Sequence, residues 1–269
     1  MVSIIVPAYN AEKSIRRCLD SLLNQSYKEI CLIVIDDGST DTTAEICDEY
    51  AALDERVFVF HENNGGVSRA RNIGLEKVLD GYVMFVDSDD YVASNYVEVH
   101  TRAMEEYGTE WVISGFYYCY SDYMRRNQIV KPCIGRFEKE NYKNIFNLLY
   151  GGEFLNTPWN KMYRRELITK EFSENMTLGE DLQFNLNYMK NTKKISCISE
   201  CCYYYSLGIN SLSHKAKWEH LNCIKSNYRD LLEICHIYGI CDDKVRQQYN
   251  SNRRSLIKGI VKQLIKRWF

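Results

Sequence analysis

Residues 82–90 read Tyr82-Val83-Met84-Phe85-Val86-Asp87-Ser88-Asp89-Asp90, five apolar residues that break into a serine among three carboxylates. A continuous apolar run of this length predicts a parallel strand buried on both faces. Open α/β sheets bind ligands beyond the carboxyl ends of such strands. Hard divalent cations take oxygen ligands and bridge protein carboxylates to substrate phosphates. A strand that ends in Asp-x-Asp therefore points to a metal-held phosphoryl leaving group. Taken alone, the triplet reads equally well as a solvated turn or a helix cap.

Its surroundings decide between these. Apolar runs at Val2–Val6, Ile30–Ile35 and Val57–Phe60 precede it and alternate with segments of helical period at Ser14–Leu23, Thr42–Leu53 and Gly66–Leu79. In the first of these, Ile15, Cys18, Leu19, Leu22 and Leu23 share one face. The β-α-β-α-β-α-β order predicts an α/β domain with a mostly parallel sheet and right-handed crossovers. Further on, the pattern predicts a helix over Asn95–Tyr107, a strand near Trp111–Tyr118, a helix over Glu138–Tyr150, one or two strands in Ile195–Tyr205, and helices over Lys217–Tyr238 and Val245–Phe269. Residues 119–134 are polar and aromatic without a clear period.

With 269 residues and 45% hydrophobic residues, the chain can bury a sizeable core and is not of disordered type. The net charge of −2 hides an asymmetry, because residues 215–269 carry 12 Lys and Arg against 5 Asp and Glu. The tail is therefore the expected contact for anionic partners; no nucleic-acid partner is implied. Eleven cysteines, an odd number without a Cys-x-x-Cys, suit a reduced, cytoplasmic setting. The opening Met1–Val6, broken by Pro7, is too short for a signal h-region. No apolar stretch approaches the ~18 residues of a membrane span.

Four strand ends carry marked residues: Pro7-Ala8-Tyr9-Asn10, Asp36-Asp37-Gly38-Ser39-Thr40-Asp41, His61-Glu62-Asn63-Asn64-Gly65-Gly66 and Asp87-Ser88-Asp89-Asp90. Any one is ordinary turn chemistry; four at one sheet edge predict one site. Together with Gly66-Val67-Ser68-Arg69-Ala70-Arg71-Asn72-Ile73-Gly74, these stretches resemble the family 2 glycosyltransferases of GT-A fold, over residues 1 to about 110. Trp159-Asn160-Lys161-Met162-Tyr163 and Gly179-Glu180-Asp181 extend the resemblance to about residue 210.

The resemblance implies an inverting transfer of a sugar from a nucleotide-diphosphate sugar, with a glycan or polyprenyl-diphosphate-linked acceptor of bacterial surface polysaccharide synthesis. It places the nucleotide sugar on Pro7, Ala8, Tyr9, Asn10, Asp36, Asp37, Asp87 and Ser88, with Asp37 near the imide of the base, which favours UDP. Arg71 sits where the diphosphate is met at the start of a helix, and a guanidinium fork suits phosphate oxygens; spacing alone leaves Arg69 as the alternative. Asp89 is implied as the ligand of Mn2+ or Mg2+, with Asp87 beside it, while Asp90 is expected to cap the following helix. Asp181 is implied as the general base and Glu180 as its helper. Trp159, Asn160 and Lys161 are implied as acceptor contacts, and His214 as a residue closing over the diphosphate. Ser206-Leu207-Gly208 departs from the arginine-containing loop of many members.

A GT-A domain is thus expected over residues 1–212, with a nucleotide-sugar half at 1–110 and an acceptor half at 111–212, followed by a helical extension at 213–269. In that extension Leu256, Ile260, Leu264 and Trp268 form one row and Ile257, Val261, Ile265 and Phe269 the next, flanked by Lys258, Lys262, Lys266 and Arg267. Such a helix suits peripheral contact with the cytoplasmic membrane face or packing on protein. A sugar-1-phosphate nucleotidylyltransferase would need a glycine-rich loop after the first strand, where Pro7-Ala8-Tyr9-Asn10 stands. A dinucleotide oxidoreductase would need Gly-x-Gly-x-x-Gly there. A non-catalytic nucleotide-sugar-binding subunit of a synthase complex is the rival of another class, opposed by the presence of Asp87, Asp89 and Asp181.

Overall fold

The computed structural model describes residues 1–120, 128–207 and 217–268 of the chain. Strands β1 (Val2–Ala8), β2 (Ile30–Asp36), β3 (Val57–His61) and β4 (Tyr82–Phe85) form a parallel block in the order β3-β2-β1-β4. All seven residues of β1 are buried. Because successive side chains face opposite ways, both faces of the sheet are covered there, which is what the unbroken apolar run demands. Helices α1 (Ile15–Leu23), α2 (Thr43–Leu53) and α3 (Val67–Glu76) make the connections. The stripe of α1 buries Ile15, Cys18, Leu19 and Leu22, the i, i+3, i+4, i+7 spacing of an amphipathic helix. The third helix ends short of the expected Leu79, leaving by a turn in which the Lys77 and Val78 N–H groups donate to Gly74 and Leu75.

After β4 the Val86 N–H still donates to Ile5 at 3.0 Å before the chain turns through Asp87–Asp90 into the short strand β5 (Tyr91–Val92). Helix α4 (Tyr96–Tyr107) begins only later. Asp90 is therefore not its cap. The remaining strands are β6 (Trp111–Tyr120), β7 (Gln128–Val130), β8 (Gly135–Glu138), β9 (Lys161–Arg164) and β10 (Lys194–Leu207). They continue the sheet as β4-β9-β6-β10-β5, and β9 pairs antiparallel with both β4 and β6. The parallel pairing expected from the sequence thus holds in the first half and recurs between β6 and β10, while short antiparallel strands complete the second half. Register shifts between Cys197, Cys201 and Tyr203 bend β10, which is why its sequence reads as one strand or two.

Helix α5 (Tyr142–Gly151) starts after β8 and a 3-10 turn at 139–141, and α6 (Glu180–Asn191), α7 (Glu219–Tyr238) and α8 (Asp243–Trp268) follow. Leu231, Ile234, Cys235 and Val245, from α7 and α8, belong to the same apolar core as the strands. The rings of Tyr228 and Tyr249 stack at 4.0 Å and join α7 to α8. Along α8, Ile260 is buried, Leu256 and Ile257 are half-buried and Val261 is exposed; its side chains from 264 onward lie outside the described residues. Among the described residues no helix is long and apolar enough to cross a membrane. All eleven cysteines are free.

The core is densest under the acidic turn. Phe85, the last residue of β4, meets Tyr163, Phe172 and Phe184 edge-on at 5.8, 5.3 and 5.7 Å, and Phe172 stacks on Phe184 at 4.0 Å. Strand β4, strand β9 and the start of α6 are fixed to one another by these rings.

Helix α3 approaches β1 closely at Gly74, where a Cβ would come within 2.5 Å of the Ile5 side chain. Ile5 is fully buried and stiff. Gly74→Ala should therefore destabilise the protein by ~1–3 kcal/mol despite the better helix propensity of alanine. Gly151→Ala, which meets no heavy atom within 4 Å, should instead stabilise it by up to ~1 kcal/mol. Urea unfolding of the two variants checks the opposite signs.

Candidate active site

The loops at the carboxyl ends of β1, β2 and β4 lie side by side and are laced by polar contacts. Asn10, in the left-handed backbone region at φ 49, accepts the Thr40 N–H at 2.8 Å through Oδ1, and its own N–H donates to Ser39 Oγ at 3.1 Å. Tyr9 beside it is 51% exposed. Pro7 and Ala8 are inside β1 and buried, and the Ala8 carbonyl accepts the Asp37 N–H at 2.8 Å.

Asp36 and Asp37 are both buried and both engaged with protein. Asp36 accepts the Ser39 N–H at 3.1 Å and pairs with His61 Nδ1 at 3.0 Å, while His61 Nε2 lies 3.0 Å from Asp48. The hydrogen bond to Asp36 raises the His61 pKa. Asp37 accepts the N–H groups of Gly65 and Gly66, one on each oxygen, at 2.8 Å, and so holds the chain where α3 begins. Asp41 accepts the Thr43 N–H at 3.0 Å at the start of α2.

Arg71 occupies a place the sequence did not foresee. It is 4% exposed at the side chain and reaches inward from α3, over the face of Phe172. One Nη donates to Asp87 at 2.8 Å and the other to Asp181 at 2.7 Å. Two of its N–H groups thus go to carboxylates, while Nε is buried with no hydrogen-bond partner among the described residues; the guanidinium expected at the diphosphate stands here as a buried bridge. Arg69 instead pairs with Glu62 at the surface, at 3.3 Å. The bridge joins the acidic turn of β4 to the first residues of α6, and Arg71 itself lies 110 positions from Asp181 in sequence.

Asp181 and Asp87 keep 21% and 24% of their side chains exposed. Burial raises the Asp181 pKa to about 7 against the opposing pull of Arg71, with Glu180 and Asp87 adding to the rise. Gly179 before the pair adopts φ 78, and a Cβ there would overlap the amide of Asn227 from α7. Glycine is thus required at the start of α6 twice over.

Asp90 is fully buried and accepts the Tyr203 hydroxyl at 2.6 Å and the Ser206 N–H at 2.7 Å. Burial, then the charges of Asp87 and Asp89, raise its pKa well above the carboxylate range. It ties the acidic turn to β10. Arg17, absent from the sequence reading, donates to the Asp89 carbonyl at 2.7 Å and to Ser206 Oγ at 3.0 Å. Asp89 itself reaches the surface beside partly exposed Ser88. Partial burial of its carboxyl and the neighbouring charge of Asp87 raise its pKa. Among the described residues no three acidic, histidine or cysteine groups gather to hold a metal ion. Two carboxylates at an open edge fit Mn2+ or Mg2+ whose other ligands are substrate phosphates and water.

Trp159, Asn160 and Lys161 do not face open space. Trp159 is stacked between protein rings, 4.2 Å from Tyr203 and 5.2 Å from Tyr205. Asn160 donates to the Ser114 carbonyl at 2.8 Å, and Lys161 to Thr157 O at 2.5 Å and Asn160 Oδ1 at 2.6 Å. All three are buried, and burial pushes the Lys161 pKa well down. The expectation that they touch an acceptor is corrected: they brace the segment before β9, which Asn185 of α6 also grips through Leu155 and Thr157, each at 2.9 Å. His214 lies outside the described residues.

This geometry agrees with what the chain is similar to. Residues 3–172 match the description Glycosyl transferase family 2. An uncharacterized glycosyltransferase of Bacillus subtilis, EpsJ, is 34% identical over 89% of this chain and 71% of its own length. The glycosyltransferase GlyA of Streptococcus pneumoniae is 33% identical over 81% of this chain, which spans only 32% of that protein. Among solved structures, Staphylococcus aureus TarS 1-349 in complex with UDP-GlcNAc superposes with a TM-score of 0.70 at 24% identity, over 86% of this chain and 66% of that one. A Pyrobaculum calidifontis mannosyltransferase in complex with GDP-Man and Mn2+ has a TM-score of 0.61 at 16% identity, over 86% of this chain and 64% of that one. The chain is a member of glycosyltransferase family 2, built on the GT-A fold.

Proposed function

We propose that the protein is an inverting transferase that moves a sugar from a UDP-sugar to an acceptor hydroxyl of a bacterial surface glycan, with residues 1–212 as its catalytic unit. The observation that carries this reading is the Arg71 bridge, which holds Asp87 and Asp181 on one guanidinium. A leaving-group site and a base are thereby kept at fixed separation. The complexes of TarS with UDP-GlcNAc and of the mannosyltransferase with Mn2+ support the donor class and the cation.

In this reading the nucleotide lies across the ends of β1, β2 and β4, with Tyr9 offering an exposed ring. The imide N–H of the base uses a lone pair left on Asp37 after its two backbone bonds. Asp89 and Asp87 would hold the cation, which when bound would neutralise charge on the departing diphosphate. Asp181 takes the proton of the acceptor hydroxyl as that oxygen bonds to the anomeric carbon. The bond from that carbon to the diphosphate oxygen breaks, and its electron pair leaves with UDP. Glu180 steadies the acceptor. Arg71 is a positioning residue that keeps Asp181 from rising further in pKa, so that a large share of it is ionised near neutrality. A general base so tuned supplies typically ~10²–10⁴-fold.

The test is nucleotide release from a panel of UDP-, GDP- and dTDP-sugars with manganese, magnesium or EDTA. UDP-sugars should turn over, EDTA should stop the reaction, and Asp89→Ala should lower turnover by at least ~10²-fold. Turnover indifferent to EDTA would remove the cation from the reading.

Because the base works only when ionised, kcat/KM should climb about tenfold per pH unit below pH 7 and flatten above it. Arg71→Met withdraws the positive charge that opposes the rise, and should move this limb to higher pH. A pH–rate profile in which the two proteins coincide would deny Asp181 the role of base.

A further inference from the structure

A cavity of about 770 Å³ opens between the start of α6 and the two C-terminal helices, and Glu180, Asp181, Asn227, Tyr228, Tyr249 and Asn252 all line it. Its size is that of a small-ligand site. From these residues we infer that the cavity is the acceptor subsite and takes a sugar ring, one hydroxyl of which donates to Oδ1 of Asn227. The inference deepens the proposed transfer reaction and rests on it.

Asn227 is the observation that demands a ligand. It is 8% exposed, and its Nδ2 donates to the carbonyl of Gly179 at 2.9 Å. Its Oδ1 is buried and has no hydrogen-bond partner among the described residues. A buried amide oxygen is normally satisfied, and Asn227 lines the same cavity as Asp181. A hydroxyl-bearing ligand would supply the missing donor.

The rest of the lining suits a carbohydrate. Carboxylates, amides and tyrosine hydroxyls in the lining offer acceptors and donors for ring hydroxyls. Asp181 borders the cavity from the side of the Arg71 bridge, so a hydroxyl seated there is presented to the group that must deprotonate it. Helices α6, α7 and α8 lie beyond residue 172, where the family match ends. The acceptor is thus chosen by the part of the chain that the shared donor-binding half does not include. Trp159, Asn160 and Lys161, which the sequence offers for this task, stand behind the site as its support.

The test uses the full chain with UDP and magnesium, and methyl β-glycosides of glucose, galactose and N-acetylglucosamine as probes, followed by saturation-transfer difference NMR. At least one glycoside should give signals with the wild type. Asn227→Ala should weaken its binding by ~5-fold, the loss of one hydrogen bond. Asn252→Trp, at an exposed position of α8, should fill the cavity and abolish the signals; it carries the test if Asn227→Ala fails to fold. UDP affinity should be unchanged in both. Absence of any glycoside signal with the wild type, or equal signals from the wild type and both variants, would overturn the assignment. Failure of UDP to bind the wild type, with glycoside signals intact, would instead sink the donor reading.

Discussion

One buried guanidinium holds the site together. Arg71 is nearly inaccessible, yet it carries a full charge, and such a group is tolerated only where its attraction to partners offsets lost hydration. Asp87 and Asp181 provide that offset, at 2.8 and 2.7 Å. Each belongs to a different part of the fold, the first to the turn after β4 and the second to α6. Removing either would leave the buried guanidinium with one partner, so the turn after β4 and the start of α6 are held in one arrangement by this pair. The ring cluster around Phe85 fixes the same elements from beneath.

The charge around this bridge is unbalanced. Arg71 and Arg17 face Asp87, Asp89, Asp90, Glu180 and Asp181, and the pKa values of Asp89, Asp90 and Asp181 all rise in consequence of burial and mutual repulsion. A bare diphosphate would enter a negative field, whereas a divalent cation would be drawn to it. Burial first, and then the repulsion of Glu180 and Asp87, bring the Asp181 pKa to about 7, the range the proposed base requires.

Much of this was legible in the sequence. Buried parallel strands announce themselves as unbroken apolar runs, and residues at their carboxyl ends must share an edge, so the gathering of Asn10, Asp37 and Asp87 followed from topology. Strand β9 did not announce itself, because Lys161–Arg164 is four residues long with charged ends. Nor did the burial of Trp159, Asn160 and Lys161, for an amphipathic side chain reads the same on a surface as in a core, and its partners Tyr203 and Ser114 are distant in sequence. Arg71 was singled out for a phosphate, and in the fold it meets two carboxylates. A guanidinium suits phosphate and carboxylate alike, and only the inward face of α3 decides between them.

Asn227 presses on Gly179 so closely that no side chain fits between them, and the next two residues are Glu180 and Asp181. Any change of shape in the C-terminal helix pair is thus passed directly to Asp181. If the proposed roles of Asp181 and the cavity hold, evolution toward a new glycan on this scaffold must move recognition and turnover together, and swapping α7 and α8 between relatives would transplant reactivity along with taste.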